Sequence, residues 1–169
     1  MNFDFISERA CQLHREYLQN LKLKYSVLEK SFPEIVGKTI FDIRKSRVKY
    51  KDEILDLKCD ILCHELFFNS FGKKNQTSVS VRRSFGSEAR LLYEIYEAGM
   101  GAGNCFAIIS RTKKGEVEFN LGAPSILIGI SAPILAIDLC EHSYFLDFGF
   151  DKEKYLSAVL PHLNLNKLT

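Results

Sequence analysis

Apolar residues recur at helical spacing near the start of the chain. Cys11, Leu13, Tyr17, Leu18, Leu21, Tyr25 and Leu28 are separated by Lys, Arg and Glu, which predicts one long helix over 7–30 with Ser7 as its N-cap. Phe32-Pro33-Glu34 breaks that helix. Gly37-Lys38-Thr39 then opens a short helix to Ile43, and a basic connector follows over 44–51. A second long helix is expected over 52–71, carrying Ile54, Leu55, Leu57, Ile61, Leu62, Leu66 and Phe67, with Gly72 closing it as a C′ glycine. The polar stretch 73–80 reads as a linker, and a further helix is expected over 87–98. The period then changes from helical to extended. Strands are expected over 104–111 and 115–120, joined by a turn at Lys113-Lys114-Gly115. Short apolar runs at 126–130 and 134–137 precede a last helical segment over 152–163. The pattern describes an α+β chain: an N-terminal helical hairpin over 1–75, then a small α/β unit over 76–169.

Composition narrows the class. The chain has 169 residues, of which 46% are hydrophobic and 26% charged, values of a globular protein rather than a disordered or fibrous one. Its 23 basic and 21 acidic residues leave a formal net charge of +2, too little for a nucleic-acid footprint. The basic run 44–51 reads as a solvated connector, because acidic residues follow it at once. The longest apolar stretch, 123–137, is interrupted by Pro124, Gly129 and Pro133 and falls short of the roughly twenty residues of a membrane span. Met1-Asn2-Phe3-Asp4-Phe5 has no basic n-region, so no signal peptide is expected. Five cysteines without a framework spacing suit a reduced, cytoplasmic setting.

Two segments share a chemical pattern. Asp60-Ile61-Leu62-Cys63-His64 and Asp138-Leu139-Cys140-Glu141-His142 each place a carboxylate four residues before a histidine, with a cysteine between. On a helix, Asp60 and His64 share a face. The second segment follows an apolar run, where a buried strand ends. Imidazole and carboxylate suit iron, manganese or zinc, although a single such spacing is common. Cys59 and Cys63 adjoin His64 and raise zinc as a possibility, but without a second cysteine pair they read as small buried residues. Cys140 is a candidate additional ligand or redox-sensitive thiol. His14 reads as a solvated helix residue, and His162 has no evident partner.

The segment Asp138-Leu139-Cys140-Glu141-His142-Ser143-Tyr144-Phe145 resembles the Asp-x-Trp-Glu-His-Ala-Tyr-Tyr signature of the iron/manganese superoxide dismutases. His14-Arg15-Glu16-Tyr17-Leu18 is similar to that family's His-His-x-x-Tyr-Val helix. His64-Glu65-Leu66-Phe67-Phe68 is similar to its His-x-x-Phe-Trp helix. Ser84-Phe85-Gly86-Ser87, Gly101-Ala102-Gly103 and Lys154-Tyr155-Leu156 match further landmarks in family order. The resemblance implies a helical hairpin followed by an α/β domain with a three-stranded, mostly antiparallel sheet. It implies one iron or manganese ion per chain, held by His64, Asp138 and His142, and superoxide as substrate. It further implies a homodimer in which Glu141 reaches the partner's metal-binding histidine. Tyr17 would be the gateway tyrosine that relays protons, and Phe67 part of the apolar wall. Neither nucleic acid nor membrane is an expected partner.

The departures from the family pattern are specific. Arg9 stands where the family's first histidine ligand is expected, which leaves a three-ligand site. Leu13 and Phe145 replace a polar pair that meets across the family's dimer, an exchange of both partners together. Asn104, Phe106, Phe68 and Cys140 align with tryptophans, and the chain has no tryptophan. Asp60 aligns with the outer-sphere glutamine of iron forms. Two readings follow from this pattern. One is a superoxide dismutase-like oxidoreductase with an altered metal site. The other is a catalytically inactive scaffold or interaction protein of the same fold, metal-free in the form where Arg9 pairs with Asp138.

Overall fold

A computed structural model describes residues 3–72 and 78–169. Helix α1 spans Glu8–Ser31, and the Ser7 side chain accepts from the Ala10 N–H as its N-cap. A 3₁₀ turn, Pro33–Ile35, leads to α2, Ile40–Lys45, which opens with a capping box between Thr39 and Asp42. Helix α3, Lys51–Asn69, packs antiparallel to α1 and completes the hairpin. The expected glycine cap is displaced. Ser70 is the C-cap, and Gly72, at φ 153, instead donates its N–H to the carbonyl of His162. The expected linker lies mostly outside the described residues, as does the expected boundary between residues 75 and 76.

Helices α4, Val79–Phe85, and α5, Glu88–Gly101, follow; only α5 was expected. Strands β1, Phe106–Arg111, β2, Val117–Gly122, and β3, Pro133–Asp138, form one sheet of order β2-β1-β3, antiparallel throughout. The β1–β2 turn carries Gly115 at φ 80, a left-handed position suited to glycine. The apolar run 126–130 belongs to a 3₁₀ segment, Pro124–Gly129, rather than to a strand. Helix α6, Glu141–Phe148, starts three residues after β3 ends, and α7, Lys152–Val159, gives way to 3₁₀ turns near the C-terminus.

One hydrophobic core runs from the hairpin into the sheet. Phe67 of α3, Phe106 and Ile108 of β1, Leu135 and Ile137 of β3, and Tyr155 of α7 are all sealed from solvent. The edge strand β3 lies against the end of α3, where the Ser70 hydroxyl accepts from the Ala136 N–H at 2.7 Å and donates to the Leu66 carbonyl at 2.6 Å. A β-edge donor that faces no strand is thus satisfied by a helix side chain. At the same end of the hairpin, where α1 begins, Asp147 of α6 accepts from the Ser7 N–H and hydroxyl, each at 2.6 Å. These ties hold α1, α3, β3 and α6 in one frame. Among the described residues no helix is long and apolar enough to cross a membrane.

Candidate metal centre

Asp138 ends β3, opposite Phe106 in the sheet register, and is wholly buried. Its backbone carbonyl accepts from the Tyr155 hydroxyl at 2.7 Å and from the Ser143 hydroxyl at 3.1 Å. One carboxylate oxygen, Oδ1, accepts from the Cys140 N–H at 2.9 Å. That bond turns the other oxygen, Oδ2, towards three imidazoles. Oδ2 lies 2.9 Å from His142 Nε2, 3.1 Å from His14 Nε2 and 3.4 Å from His64 Nε2. The four groups come from four elements, α1, α3, β3 and α6, and their ligand-type atoms lie within 4.8 Å of one another.

His14 corrects the sequence reading. It is 2% exposed, far from a solvated helix position, and it brings a fourth imidazole or carboxylate where three were expected. Arg9 is exposed on α1, whereas the buried carboxylate of Asp138 has histidines as its neighbours. The expected Arg9–Asp138 pair is therefore not formed. The signal for His14 lay in the helical phase: Cys11, His14, Leu18, Leu21 and Tyr25 form one buried stripe. The family motif, read by residue count, puts the ligand at Arg9 and does not carry that phase.

Several of these atoms are left without hydrogen-bond partners. Both ring nitrogens of His14 and Oδ2 of Asp138 are buried and unsatisfied. His64 Nε2 and His142 Nε2 approach to 3.2 Å, so two nitrogens that point at one spot can share at most one proton between them. Three imidazole nitrogens and one carboxylate oxygen that converge on one spot, with too few protons to pair them all, make a donor set for iron, manganese or zinc. The residues present therefore fit a divalent ion. The far nitrogen of His64 is fixed: Nδ1 donates to the Asp60 carbonyl at 2.8 Å and lies 3.2 Å from Asp60 Oδ1.

The electrostatics follow from burial and from these neighbours. Burial alone would raise Asp138, but His14 and His142 outweigh it and hold the carboxyl far below the usual carboxylate range. Burial pulls His14 below an ordinary histidine. Burial also pulls on His64, but Asp60 beside it and the charge of Asp138 outweigh that and hold it above the ordinary value. Tyr17 stacks on His142, with centroids 4.7 Å apart, and lies 5.2 Å from His64. Its phenol is pushed up by burial and by the charges of Asp60 and Asp138, so it is protonated at neutral pH.

The wall of the site is aromatic. Phe67 and Phe68 pack on His14 with centroids 4.8 and 5.0 Å away, and Phe106 meets His64 edge-on at 5.1 Å. Asn104 Oδ1 accepts from the Glu141 N–H at 3.4 Å. The positions aligned with missing tryptophans thus surround the cluster. Cys140 is not one of the four converging groups. Its thiol is pushed up by burial and by the adjacent Asp138, which marks an unreactive thiol. Cys59 and Cys63 are sealed in the core, burial pushing Cys59 up to about 11. His162 packs on Phe5 at 5.1 Å. Glu141 and His142 are exposed, as are Leu13, Tyr17, Phe145, Leu146 and Phe150.

Residues 73–169 match the model of the iron/manganese superoxide dismutases, C-terminal domain. The chain is 25% identical over 176 residues to the chloroplastic iron superoxide dismutase 3 of Arabidopsis thaliana, covering 94% of this chain and 65% of that protein. It is 23% identical over 169 residues to the manganese superoxide dismutase of Acinetobacter baylyi, covering 92% and 72%. It is 27% identical over 123 residues to the iron superoxide dismutase of Cupriavidus metallidurans, covering 68% and 62%. The chain thus spans about two thirds of the length of these relatives.

Proposed function

The chain belongs to the iron/manganese superoxide dismutase family, and we propose that it is a metal-dependent oxidoreductase that converts superoxide to oxygen and hydrogen peroxide. The observation that carries this reading is the convergence of His14, His64, Asp138 and His142 with orphaned donor atoms at its centre. In the proposal these four side chains hold one iron or manganese ion, His14 taking the place left by Arg9. The bound ion would supply one-electron chemistry, accepting an electron from one superoxide and returning one to the next.

The protein's own groups do the rest. Asp138, ionised and buried, contributes one negative charge to the ligand set. The backbone carbonyl of Asp60 keeps His64 protonated at Nδ1, so that Nε2 is free to bind. Tyr17 sits over His142 at the exposed side of the site, where superoxide would enter. Its protonated phenol can hand on one of the two protons that two superoxides need to become hydrogen peroxide and oxygen. Phe67, Phe68 and Phe106 keep the inner side dry, which strengthens the interactions among the charged groups.

Glu141 and the exposed edge of His142 would meet a second copy, with Glu141 of each chain bonded to the partner's His142. Phe145, on the same helix, and Leu13 and Phe150 are exposed apolar residues that such a contact would cover. In this reading the protein is a homodimer in the cytoplasm. The test is metal content and superoxide dismutase activity measured on one purified sample, with His14→Ala beside it. Near-stoichiometric iron or manganese with activity, both lost in the variant, supports the proposal. A parent protein that takes up neither ion, even when refolded with them, overturns it.

A further inference from the structure

We infer that the Asp60 carboxylate is a positioning residue that makes His64 a stronger metal donor, and that it thereby sets how tightly the centre holds a divalent cation. The inference rests on the proposed metal centre. Its basis is the arrangement around one ring nitrogen. His64 Nδ1 has two acceptors on the same residue, the Asp60 carbonyl at 2.8 Å and Asp60 Oδ1 at 3.2 Å. The carbonyl can only accept, so Nδ1 keeps its proton and Nε2, which faces Asp138 and His142, is the nitrogen left for a metal ion. The helix supplies the carbonyl through its i to i+4 geometry, whatever residue stands at position 60. The carboxylate is the added element. A negative charge against the far nitrogen draws the Nδ1 proton and raises electron density at Nε2, as outer-shell carboxylates do behind ligating histidines.

Two more observations fit a group placed for this purpose. The Asp60 side chain is 22% exposed, and no lysine or arginine is paired with it among the described contacts. It borders a cleft of about 360 Å³ with Asp56, Leu57, Ala123, Pro124 and Ser125, so its charge is hydrated on one side while the other faces His64. Its charge also falls on the Tyr17 phenol, placing it between the proposed proton donor and a ligand.

The test compares Asp60→Asn, which keeps the shape and an acceptor but loses the charge, with Asp60→Ala. Metal-free protein is titrated with Mn²⁺ alone and with redox-inert Zn²⁺ alone by equilibrium dialysis, with circular dichroism to verify folding. Both variants are expected to bind both ions about 10- to 100-fold more weakly than the parent. In iron-loaded protein, Asp60→Asn is expected to shift the midpoint potential positive, because removing a negative charge disfavours the ferric form. Parent-like affinity in both variants means that the carbonyl suffices and overturns the inference. Weak binding by Asp60→Ala with parent-like binding by Asp60→Asn also overturns it, because shape rather than charge would then be at work. A parent that binds neither ion overturns the metal centre itself, and this inference with it.

Discussion

Arg9 and His14 are five residues apart on α1, about 7.5 Å along the helix axis and about 140° around it. That angle separates an exposed guanidinium from a 2%-exposed imidazole. A motif aligned on Tyr17 counts residues, but burial is decided by angle, and only the stripe from Cys11 to Tyr25 carries the angle. His64, Asp138 and His142 were legible because each lies where sequence pattern and motif agree. His14 was not, because the two disagreed. The consequence is testable. His14→Ala should lower Mn²⁺ affinity by more than the roughly 10–100-fold that loss of an outer-shell partner costs, and Arg9→His should leave it unchanged; equilibrium dialysis reads both. A gain of metal in Arg9→His would return the fourth position to residue 9.

Protonation acts at the same scale. His64 is held above the ordinary histidine value and His14 below it. In the metal-free protein, His64 therefore keeps a proton above pH 6.5 while His14 has already lost its own. A metal ion must displace that proton from His64. Affinity is expected to rise with pH through 6.5 and on to the raised value of His64, by about tenfold per pH unit for each proton displaced, then level off. Calorimetric titration in two buffers of different ionisation enthalpy counts the protons released. Release that grows as pH rises would contradict this assignment.

At the level of elements, the Ser7 cap and the Gly115 turn were legible, whereas the short helices α4 and α6 were not. Ser7 and Gly115 act locally, through one side-chain bond and one positive φ, so the sequence displays them directly. Helices α4 and α6, of 7 and 8 residues, span barely two turns and show too little period to be distinguished. Their positions are set by what they pack against. Ser70 is a case in point: nothing in its neighbourhood marks it, yet its hydroxyl is the partner of the Ala136 N–H on the sheet edge. Ser70→Ala would leave that buried donor unpaired and should cost about 1–3 kcal/mol, measured by urea unfolding of the metal-free protein. Because β3 ends in Asp138, the variant should also bind Mn²⁺ more weakly than an equally destabilised variant far from β3.

The whole molecule leaves one feature incomplete. His142 belongs to the cluster, yet its side chain is 36% exposed, while its partners His14, His64 and Asp138 are buried. Tyr17 stacks on it, and Phe145 and Leu146 follow it on α6; these residues, with Leu13 and Phe150, are each between 39% and 77% exposed, and large apolar side chains left exposed together mark interaction surfaces. Phe145 and Phe150 already pack edge to face at 5.0 Å. A second copy seated there would cover the apolar residues, shield the open imidazole and bring Glu141 within reach of the partner's His142. Leu13 and Phe145, apolar where a polar pair was expected, suit a dry contact at that centre. Light scattering should therefore give about twice the 19.3 kDa chain mass. Phe145→Asp, which sets a charge in the middle of the face, should give monomers, with weaker metal retention because His142 is uncovered. Glu141→Ala should weaken retention while the apolar contact still holds the dimer. A monomeric parent with full metal occupancy would show instead that four side chains of a single chain suffice, and would leave Glu141 without a role in the site.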